Sequence, residues 1–197
     1  DEAVKTLKGP LLVLAGAGTG KTRVVTFRIA NLIKNGIKPS RILGVTFTNK
    51  AAQEMKERIS VLQGKKRKSD RPMISTFHSL CVKILRRRIT ALGYPPKYSI
   101  IDRSEQESVA KSILREIRID DSTVKPTELL WKISGWKSKS VRPGQAESIA
   151  ETDKEHICAM AYRRYQRQIK LRGAVDFDDL LLLTEELFQN HEEIRCE

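Results

Sequence analysis

A glycine-rich segment near the start of the chain constrains the fold more than any other feature. It reads Ala15-Gly16-Ala17-Gly18-Thr19-Gly20-Lys21-Thr22. The apolar run Pro10–Ala15 predicts a buried strand before it. A helix is predicted after it, because apolar side chains recur at helical spacing at Val25, Ile29, Leu32 and Ile33. Glycines at a strand-to-helix turn let backbone N–H groups wrap around phosphate oxygens without Cβ clashes, and the helix adds its positive dipole end. The segment therefore predicts a phosphate-binding loop.

The last two residues of this loop offer the chemistry that a nucleoside triphosphate requires. Lys21 can reach the β- and γ-phosphates as a point charge, and the Thr22 hydroxyl can hold Mg²⁺, so both are candidate catalytic residues. The strict pattern begins with glycine, whereas Ala15 occupies that place here. A dinucleotide fingerprint would need glycine where Lys21 stands, which disfavours NAD and FAD. The alternative interpretation is a structural turn with a chance Gly-Lys-Thr.

Short apolar strands alternate with amphipathic helices through the first half of the chain. Residues Ile42–Phe47 and Met73–Thr76 predict the second and third strands. The helix between them begins at Asn49, its expected N-cap. Its apolar residues are Ala52, Met55, Ile59 and Leu62. This alternation predicts an α/β fold in which helices cover both faces of a parallel sheet.

From about Ser104 onward the pattern predicts helices only. Ser104 and Glu107 form a capping-box pair before one helix, and Pro126 suits the first position of the next. The further expectations are a loop over residues 135–144, a long helix over residues 146–171 that Gly173 ends, a last helix from about Asp176, and packing positions for Trp131 and Trp136.

Polar and aromatic residues follow the second and third predicted strands where each strand ends. In open parallel sheets this carboxyl edge is where ligands meet the protein. Hydroxyl, amide and ammonium groups suit phosphate contacts, and an aromatic ring suits the stacking of one base. The structural alternative is Phe47 in the core with Asn49 as a helix cap, and, for residues 75–79, a capped helix with His78 as a surface residue. The candidate nucleic-acid contacts are Thr46, Phe47, Thr48, Asn49, Lys50, Thr76, Phe77 and His78.

The charge balance indicates a polyanionic partner. The 197 residues contain 37 Lys and Arg against 24 Asp and Glu, a net charge of +13. Such an excess is typical of a nucleic-acid binder, although a basic surface without a partner is the alternative. The basic clusters Lys65–Lys68 and Arg86–Arg88 are candidates for contacts with the nucleic-acid backbone or for solvated faces.

Three widely spaced cysteines disfavour a disulfide framework or a zinc site. No apolar run approaches the roughly 20 residues that span a bilayer.

Four blocks, in order, resemble the UvrD/Rep/PcrA-type superfamily 1 DNA helicases. The blocks are AGAGTGKT, TFTNKAA, STFHSLCVKILRR and VDFDDLL. The resemblance implies a RecA-like P-loop NTPase domain, called 1A, that an all-helical subdomain, called 1B, interrupts. It implies that residues 1–103 are the first part of 1A and residues 104–172 are 1B. Residues 173–197 would then return to 1A, with the parallel sheet truncated before the Walker B block.

The same resemblance implies a role for each motif. Ala15–Thr22 is similar to motif I, which binds ATP and Mg²⁺, with Thr22 as the metal ligand. Arg23 stands in the position expected to approach the adenine. Thr46–Lys50 is similar to motif Ia and Thr76–Ser79 to motif Ib, which line the track of single-stranded DNA.

Asp178-Asp179 resemble a Walker B block only superficially, because the apolar run follows them in the chain, whereas in a Walker B block it precedes the acidic residues. We interpret them as carboxylates at a helix start, which the helix dipole favours. The Walker B block is expected beyond Glu197. Phosphoryl transfer needs positioning, metal and charge neutralisation together. The chain alone is therefore expected to bind ATP without hydrolysing it at a useful rate.

The resemblance implies the ATP-binding and single-stranded-DNA-binding N-terminal part of an ATP-dependent 3′→5′ DNA helicase of repair or replication. The implied partners are single-stranded DNA and single-strand/duplex junctions, with no membrane. The implied location is the bacterial cytoplasm, at the nucleoid. One alternative is the ATPase-helicase subunit of a helicase–nuclease complex. Others are a P-loop small-molecule kinase and a nucleic-acid-binding module whose loop holds only a structural phosphate.

Overall fold

The computed structural model of the protein describes residues 2–16, 18–64 and 71–196. The chain divides into two compact units, Asp1–Leu80 and Cys81–Glu197. The described residues form an α/β structure that is mostly helical, with small parallel sheets. The predicted division at residues 103 and 172 stays a prediction.

The first unit contains two parallel strands and the helices that flank them. Strand β1 (Leu43–Thr46) pairs with β2 (Met73–Thr76) in a register that sets Leu43 opposite Met73 and Thr46 opposite Thr76. Both strands were predicted at these positions, and both end at the same edge. The helices are α1 (Glu2–Lys5), α2 (Lys21–Lys34), a 3₁₀ turn (Pro39–Arg41), α3 (Asn49–Gln63) and the start of α4 (Phe77–Arg88).

The predicted buried strand at Pro10–Ala15 is wrong for this structure. These residues are neither helix nor strand, and Leu12 and Leu14 are 82% and 86% exposed. An apolar run becomes a strand only where a neighbouring strand offers backbone hydrogen-bonding groups. Among the described residues, β1 and β2 pair with each other and with no third strand. The apolar composition was therefore not sufficient to form a strand.

The core of the first unit forms where α2 and α3 pack against the two strands. A close approach at Gly44 in β1 makes this packing possible, since an added Cβ would lie 2.6 Å from Ile74 Cδ1. The buried apolar side chains are Ile29, Ile42, Ala52, Met55, Ile59 and Ile74.

The start of α3 differs by one residue from the prediction. Thr48, not Asn49, is the N-cap, because it has extended backbone angles (φ −119°, ψ 147°) and its side chain accepts a hydrogen bond from the Ala51 N–H. Asn49 is already the first helical residue. Thr48 and Asn49 are both residue types that cap helices, but only Thr48 still has the extended backbone that an N-cap requires.

The second unit is a helical array with one short parallel strand pair. Strand β3 (Ser99–Ile100) pairs with β4 (Ala174–Val175), so the chain leaves β3 and returns beside it after a long helical excursion. The other elements are the rest of α4, a 3₁₀ turn (Ile89–Leu92), α5 (Arg103–Glu116), α6 (Pro126–Ser138), a 3₁₀ turn (Ala146–Ile149), α7 (Asp153–Leu171), α8 (Phe177–Asn190) and α9 (Glu192–Arg195).

Three expectations for this helical region need correction at the helix ends. The capping box of α5 is Asp102 with Glu105, two residues before the predicted pair Ser104 and Glu107. The predicted loop over residues 135–144 begins late, because α6 continues to Ser138. The predicted helix over residues 146–171 is a 3₁₀ turn and α7, separated at Thr152, whose side chain caps α7 through the Glu155 N–H.

The two tryptophans of α6 have different surroundings. Trp136 is buried and stacks on Tyr162 with 5.9 Å between ring centroids, as the packing prediction requires. Trp131 is 74% exposed, so the same prediction is wrong for it. They are five residues apart, which places them on different sides of a helix. Gly173 ends α7 as predicted, at a φ of 64°.

Across residues 2–16, 18–64 and 71–196, the structure contains no helix with the length and apolarity that crossing a membrane would require.

Candidate nucleotide and DNA site

The glycine-rich loop enters α2 through glycines with left-handed backbone angles. Gly18 has a φ of 75°, and Gly20, the N-cap of α2, has a φ of 84°. A Cβ at Gly18 would meet nothing within 4 Å, so the backbone angle rather than crowding requires glycine there. The Thr19 hydroxyl closes the loop by donating to the Gly16 carbonyl at 2.7 Å. Ala17, also assigned to nucleotide binding, lies outside the described residues.

The Lys21 side chain folds back over this loop. Its ammonium group donates to the carbonyl oxygens of Ala15 at 2.8 Å and Gly16 at 2.5 Å. Lys21 is the first residue of α2, where N–H groups without helical partners and the dipole favour an anion. The loop thus concentrates one exposed cation and several backbone donors at a single helix end.

The residues that follow Lys21 offer one hydroxyl and one stacked cation. Thr22 is half-buried, and in the described part of the chain its hydroxyl makes no hydrogen bond, so the oxygen remains available. Such an oxygen suits Mg²⁺, which prefers hard oxygen ligands. The Arg23 guanidinium lies over the Phe27 ring at 5.6 Å from its centroid. Arg23 is therefore held beside the first turn of α2.

The ends of β1 and β2 bring together two aromatic rings. Phe47, directly after β1, is 90% exposed, and Phe77, directly after β2, is 40% exposed. Their ring centroids lie 5.6 Å apart, with planes tilted by 45°. The alternative that placed Phe47 in the core is therefore wrong. An exposed aromatic pair at a sheet edge is the arrangement that base stacking uses.

The hydroxyl groups at this edge differ in their availability. The Thr46 hydroxyl donates to the Thr48 carbonyl at 3.0 Å, which tightens the turn from β1 into α3. Thr76 is buried, and its hydroxyl donates to Ser79 Oγ and accepts from the Ser79 N–H. Thr76 therefore caps the start of α4, as the structural alternative proposed for this segment. Asn49 and Lys50 are exposed in the first turn of α3, and His78 is half-buried in α4.

Asp178 and Asp179 lie in the first turn of α8, and Asp179 has a partner that the sequence did not indicate. Asp176 caps α8 in a capping box with Asp179, which confirms carboxylates at a helix start. Asp179 is also fully buried against the ammonium of Lys137, at 2.8 Å, and Asp176 lies 2.7 Å from the same ammonium. Burial opposes the charge of Lys137, but the two carboxylates outweigh it and raise its pKa.

Nothing in the sequence around Lys137 indicated that it forms a buried ion pair. It lies in the region predicted to be a loop, 42 residues before Asp179, and lysines are almost never fully buried unless paired. The hydroxyl of Tyr165 completes the cluster by donating to Asp176 at 2.9 Å, and the Gln166 amide donates to Asp179. We call Lys137, Tyr165, Gln166, Asp176 and Asp179 the Lys137 cluster.

Of the two basic clusters that the sequence suggested as DNA contacts, the structure describes one. The cluster Lys65–Lys68 lies outside the described residues. Arg86–Arg88 form the exposed last turn of α4, where Arg86 lies over the Tyr98 ring at 5.8 Å from its centroid. The described residues contain no group of three or more His, Cys, Asp or Glu side chains that could hold a metal ion.

A glycine-rich loop opening a helix, in a unit with parallel strands, defines the class of P-loop nucleotide-binding α/β proteins. Within that class, the chain belongs to the UvrD/REP helicase N-terminal domain family, whose model matches residues 1–197. The family implies a RecA-like fold. The family predicted from four sequence blocks is therefore confirmed.

Curated relatives agree with this assignment. The chain is 43% identical over 195 residues to the ATP-dependent DNA helicase PcrA of Staphylococcus aureus, covering 98% of this chain and 26% of the relative. It is 43% identical over 190 residues to the proteins of the same name from Leuconostoc citreum and Staphylococcus epidermidis, covering 96% of this chain. The chain thus spans about a quarter of the length of these relatives.

Proposed function

We propose that this chain is the ATP-binding and single-stranded-DNA-binding N-terminal part of an ATP-dependent DNA helicase. The observation that carries the proposal is the glycine-rich loop at the start of α2, with the Lys21 ammonium held on its carbonyl oxygens. An exposed cation and the first N–H groups of α2, brought to one point, match the charge of a triphosphate. The names of the relatives and the exposed rings at the strand ends support DNA as the second ligand.

In the proposed ATP site, the backbone N–H groups of Gly16 and of residues 18–20 surround the phosphates. The Lys21 ammonium exchanges its two carbonyl partners for β- and γ-phosphate oxygens, which form stronger charge-assisted hydrogen bonds. The Thr22 hydroxyl holds Mg²⁺, which neutralises phosphate charge when it is bound. Arg23, beside the same helical turn, approaches the adenine.

In the proposed DNA site, Phe47 and Phe77 stack bases while neighbouring polar groups contact the backbone. Phe47 supplies most of the accessible ring area, because it is 90% exposed against 40% for Phe77. Lys50 and Asn49, exposed in the first turn of α3, and His78 face the phosphates. Thr46, Thr48 and Thr76 shape the backbone around the rings, since the Thr46 and Thr76 hydroxyls already donate within the protein and Thr48 caps α3.

For the whole protein we propose ATP-driven movement along DNA in the 3′→5′ direction, at single-strand/duplex junctions, in repair or replication. The remaining machinery then belongs to the part of the relatives' length that this chain does not span. A small-molecule kinase is not favoured, because it leaves the aromatic pair unexplained. A helicase–nuclease subunit shares the same N-terminal blocks and needs a nuclease domain. The proposed location is the cytoplasm, at the nucleoid.

Titration of a fluorescent single-stranded oligonucleotide tests the proposal. A length of about 15 nucleotides covers one binding site of this kind. The titration is repeated with a non-hydrolysable ATP analogue and Mg²⁺, each time at two salt concentrations. We expect saturable binding. The logarithm of the association constant should fall by about 0.7 per phosphate contact for each tenfold increase in salt concentration, and the affinity should change when nucleotide is added. A kinase would give no oligonucleotide binding, and a nucleic-acid module with a structural phosphate would give binding indifferent to ATP.

A further inference from the structure

A contact between a cation and an aromatic ring at the start of α2 is not explained by the proposed ATP site. Arg23 and Phe27 are one helical turn apart, so they lie on the same side of the helix. Side chains of a helix lean toward its N-terminus, which brings the Phe27 ring to the level of Arg23. The Arg23 guanidinium lies over that ring, 5.6 Å from its centroid, within the range of a cation–π contact. The ring therefore restricts where the guanidinium can lie.

Arg23 makes this contact next to the glycine-rich loop. A Cβ added at Gly20, the N-cap of α2, would lie 3.9 Å from the Arg23 Cβ, so the side chain leaves the helix beside the loop. Lys21 is two residues earlier, which places it about 200° around the helix from Arg23. The Lys21 ammonium folds over the carbonyl oxygens of Ala15 and Gly16. The two cations therefore serve different parts of a ligand at this helix end.

The polar groups of Arg23 remain available to a ligand. The side chain is exposed, and in the part of the chain that the structure describes its guanidinium makes no hydrogen bond or ion pair. Glu57 of α3 lines the same surface groove as Arg23 and Phe27, but its carboxylate accepts a hydrogen bond from the Gln53 amide at 2.8 Å. An aromatic ring rather than a carboxylate thus positions Arg23.

We propose that Phe27 is a positioning residue for the nucleobase of ATP. Its ring keeps the Arg23 guanidinium on the side of α2 away from Lys21, where the flat cation stacks on the base. Guanidinium groups stack on aromatic faces because they are planar and weakly hydrated. The phosphates are a poorer partner for Arg23, because the loop N–H groups and Lys21 already bind them in the proposed site. The role of Phe27 rests on the proposed function, because it concerns the same ATP site.

Two ligands separate a role at the base from a role in the fold. Inorganic tripolyphosphate has the phosphate chain of ATP without sugar or base, so it reports on the loop alone. Isothermal titration calorimetry measures the affinity of each ligand in the presence of Mg²⁺. Phe27→Leu keeps an apolar side chain and removes the ring. It should weaken ATP binding about three- to tenfold and change tripolyphosphate binding less than about twofold, because only ATP offers Arg23 a base.

Two variants are the controls for Phe27→Leu. Phe27→Tyr keeps the aromatic ring and should keep the native affinity for ATP. Leu62→Ala removes an apolar side chain from the same groove, at a position 45% exposed against 40% for Phe27. It should leave both affinities unchanged.

A double variant tests whether Phe27 acts through Arg23. Arg23→Met removes the guanidinium and should weaken ATP binding by itself. Phe27→Leu added to Arg23→Met should cause no further loss of ATP affinity, because residues that act through one contact do not have additive effects.

Three results with these variants would overturn the proposal. Equal weakening of ATP and tripolyphosphate by Phe27→Leu would show that the ring supports the fold or the loop. A full additional loss in the Arg23→Met background would show that the ring does not act through the guanidinium. Native ATP affinity in Phe27→Leu would show that the ring is not needed. A native chain that binds neither ligand would instead contradict the ATP site itself, and the role of Phe27 with it.

Discussion

One exposed aromatic ring carries most of the proposed DNA contact at the residue scale. Phe47 leaves the end of β1 almost wholly accessible and touches Phe77 rather than the core of the first unit. Water contact with a large apolar ring is unfavourable. In the proposed DNA site a nucleobase, which offers a matching flat surface, covers this ring.

Replacing Phe47 with alanine should weaken single-stranded DNA binding by about 5- to 150-fold, because base–aromatic stacking contributes about 1–3 kcal/mol per base. The unfolding midpoint should stay nearly constant, since the ring is not part of the core. Fluorescence anisotropy with a labelled oligonucleotide gives the affinity.

Val61→Ala is the matched control for Phe47→Ala. Val61 is an apolar side chain of the same unit, 82% exposed on α3. Its loss should leave DNA affinity unchanged. Equal effects of the two substitutions would show that the DNA does not stack on Phe47.

The sequence predicted the residues of this edge but not their individual states. It placed Phe47 either in the core or on a base, and only the ring contact with Phe77 and the exposure exclude the core. It also chose Asn49 as a cap although Thr48 has the extended backbone that capping requires. Both decisions depend on how strands pair and end, which residue type alone does not determine.

At the scale of the elements, the tightest packing is at Gly44, where β1 meets β2 and α2. A methyl group at Gly44 would lie 2.6 Å from Ile74 Cδ1 and 3.4 Å from Ile29 Cδ1. Gly44→Ala should therefore destabilise the protein by about 1–3 kcal/mol, as overpacking of a core does. Urea unfolding followed by circular dichroism measures the change.

Gly135→Ala is the matched control with the opposite expected sign. Gly135 lies inside α6, and an added Cβ would meet nothing within 4 Å. Alanine there should stabilise the protein by about 0.5–1 kcal/mol, because glycine is a poor helix former. A loss of stability at Gly135, or none at Gly44, would contradict the packing described for these elements.

The Lys137 cluster joins α6 to the start of α8, and breaking it should be costly. Lys137→Met leaves two buried carboxylates without their cation, which typically destabilises a protein by about 3–5 kcal/mol. Lys132→Met, on the same helix, removes the partly exposed pair with Glu155 and should cost about 0–1 kcal/mol. Comparable losses in the two variants, measured by urea unfolding, would rule out a buried ion pair.

The same cluster predicts a pH dependence of the free energy of unfolding. The carboxylates raise the pKa of Lys137 above its ordinary value of 10.5 against the effect of burial. A group with a higher pKa in the folded state stabilises the protein below its unfolded pKa and loses this effect as the pH rises above it. The difference between the native chain and Lys137→Met should therefore narrow above pH 10.5. A constant difference would contradict the assignment.

Elements that local patterns specify were predictable, and those that need distant partners were not. The positions of β1, β2 and α2 follow from apolar spacing and flanking turns. Residues 10–15 have the composition of a strand, but the described part of the chain offers them no neighbouring strand with which to pair. Lys137 and Asp179 are 42 residues apart, and nothing in the sequence around either one indicates the other.

The whole molecule combines a net charge of +13 with two compact units. The first unit contains the proposed ATP loop and DNA edge. The second contains the Lys137 cluster, which joins α6 to the start of α8. The chain spans about a quarter of the relatives' length, so movement along DNA is a property proposed for the larger protein.

Binding of a fluorescent ATP analogue with Mg²⁺ to the native chain and to Lys21→Ala tests the central claim most directly. Lys34→Ala, at the exposed far end of the same helix, is the control. We predict saturable binding by the native chain and by Lys34→Ala. Lys21→Ala should bind about 10- to 100-fold more weakly with an unchanged unfolding midpoint, because it loses one charge-assisted contact to phosphate. Equal affinity in all three proteins would contradict the claim that this loop is the nucleotide site.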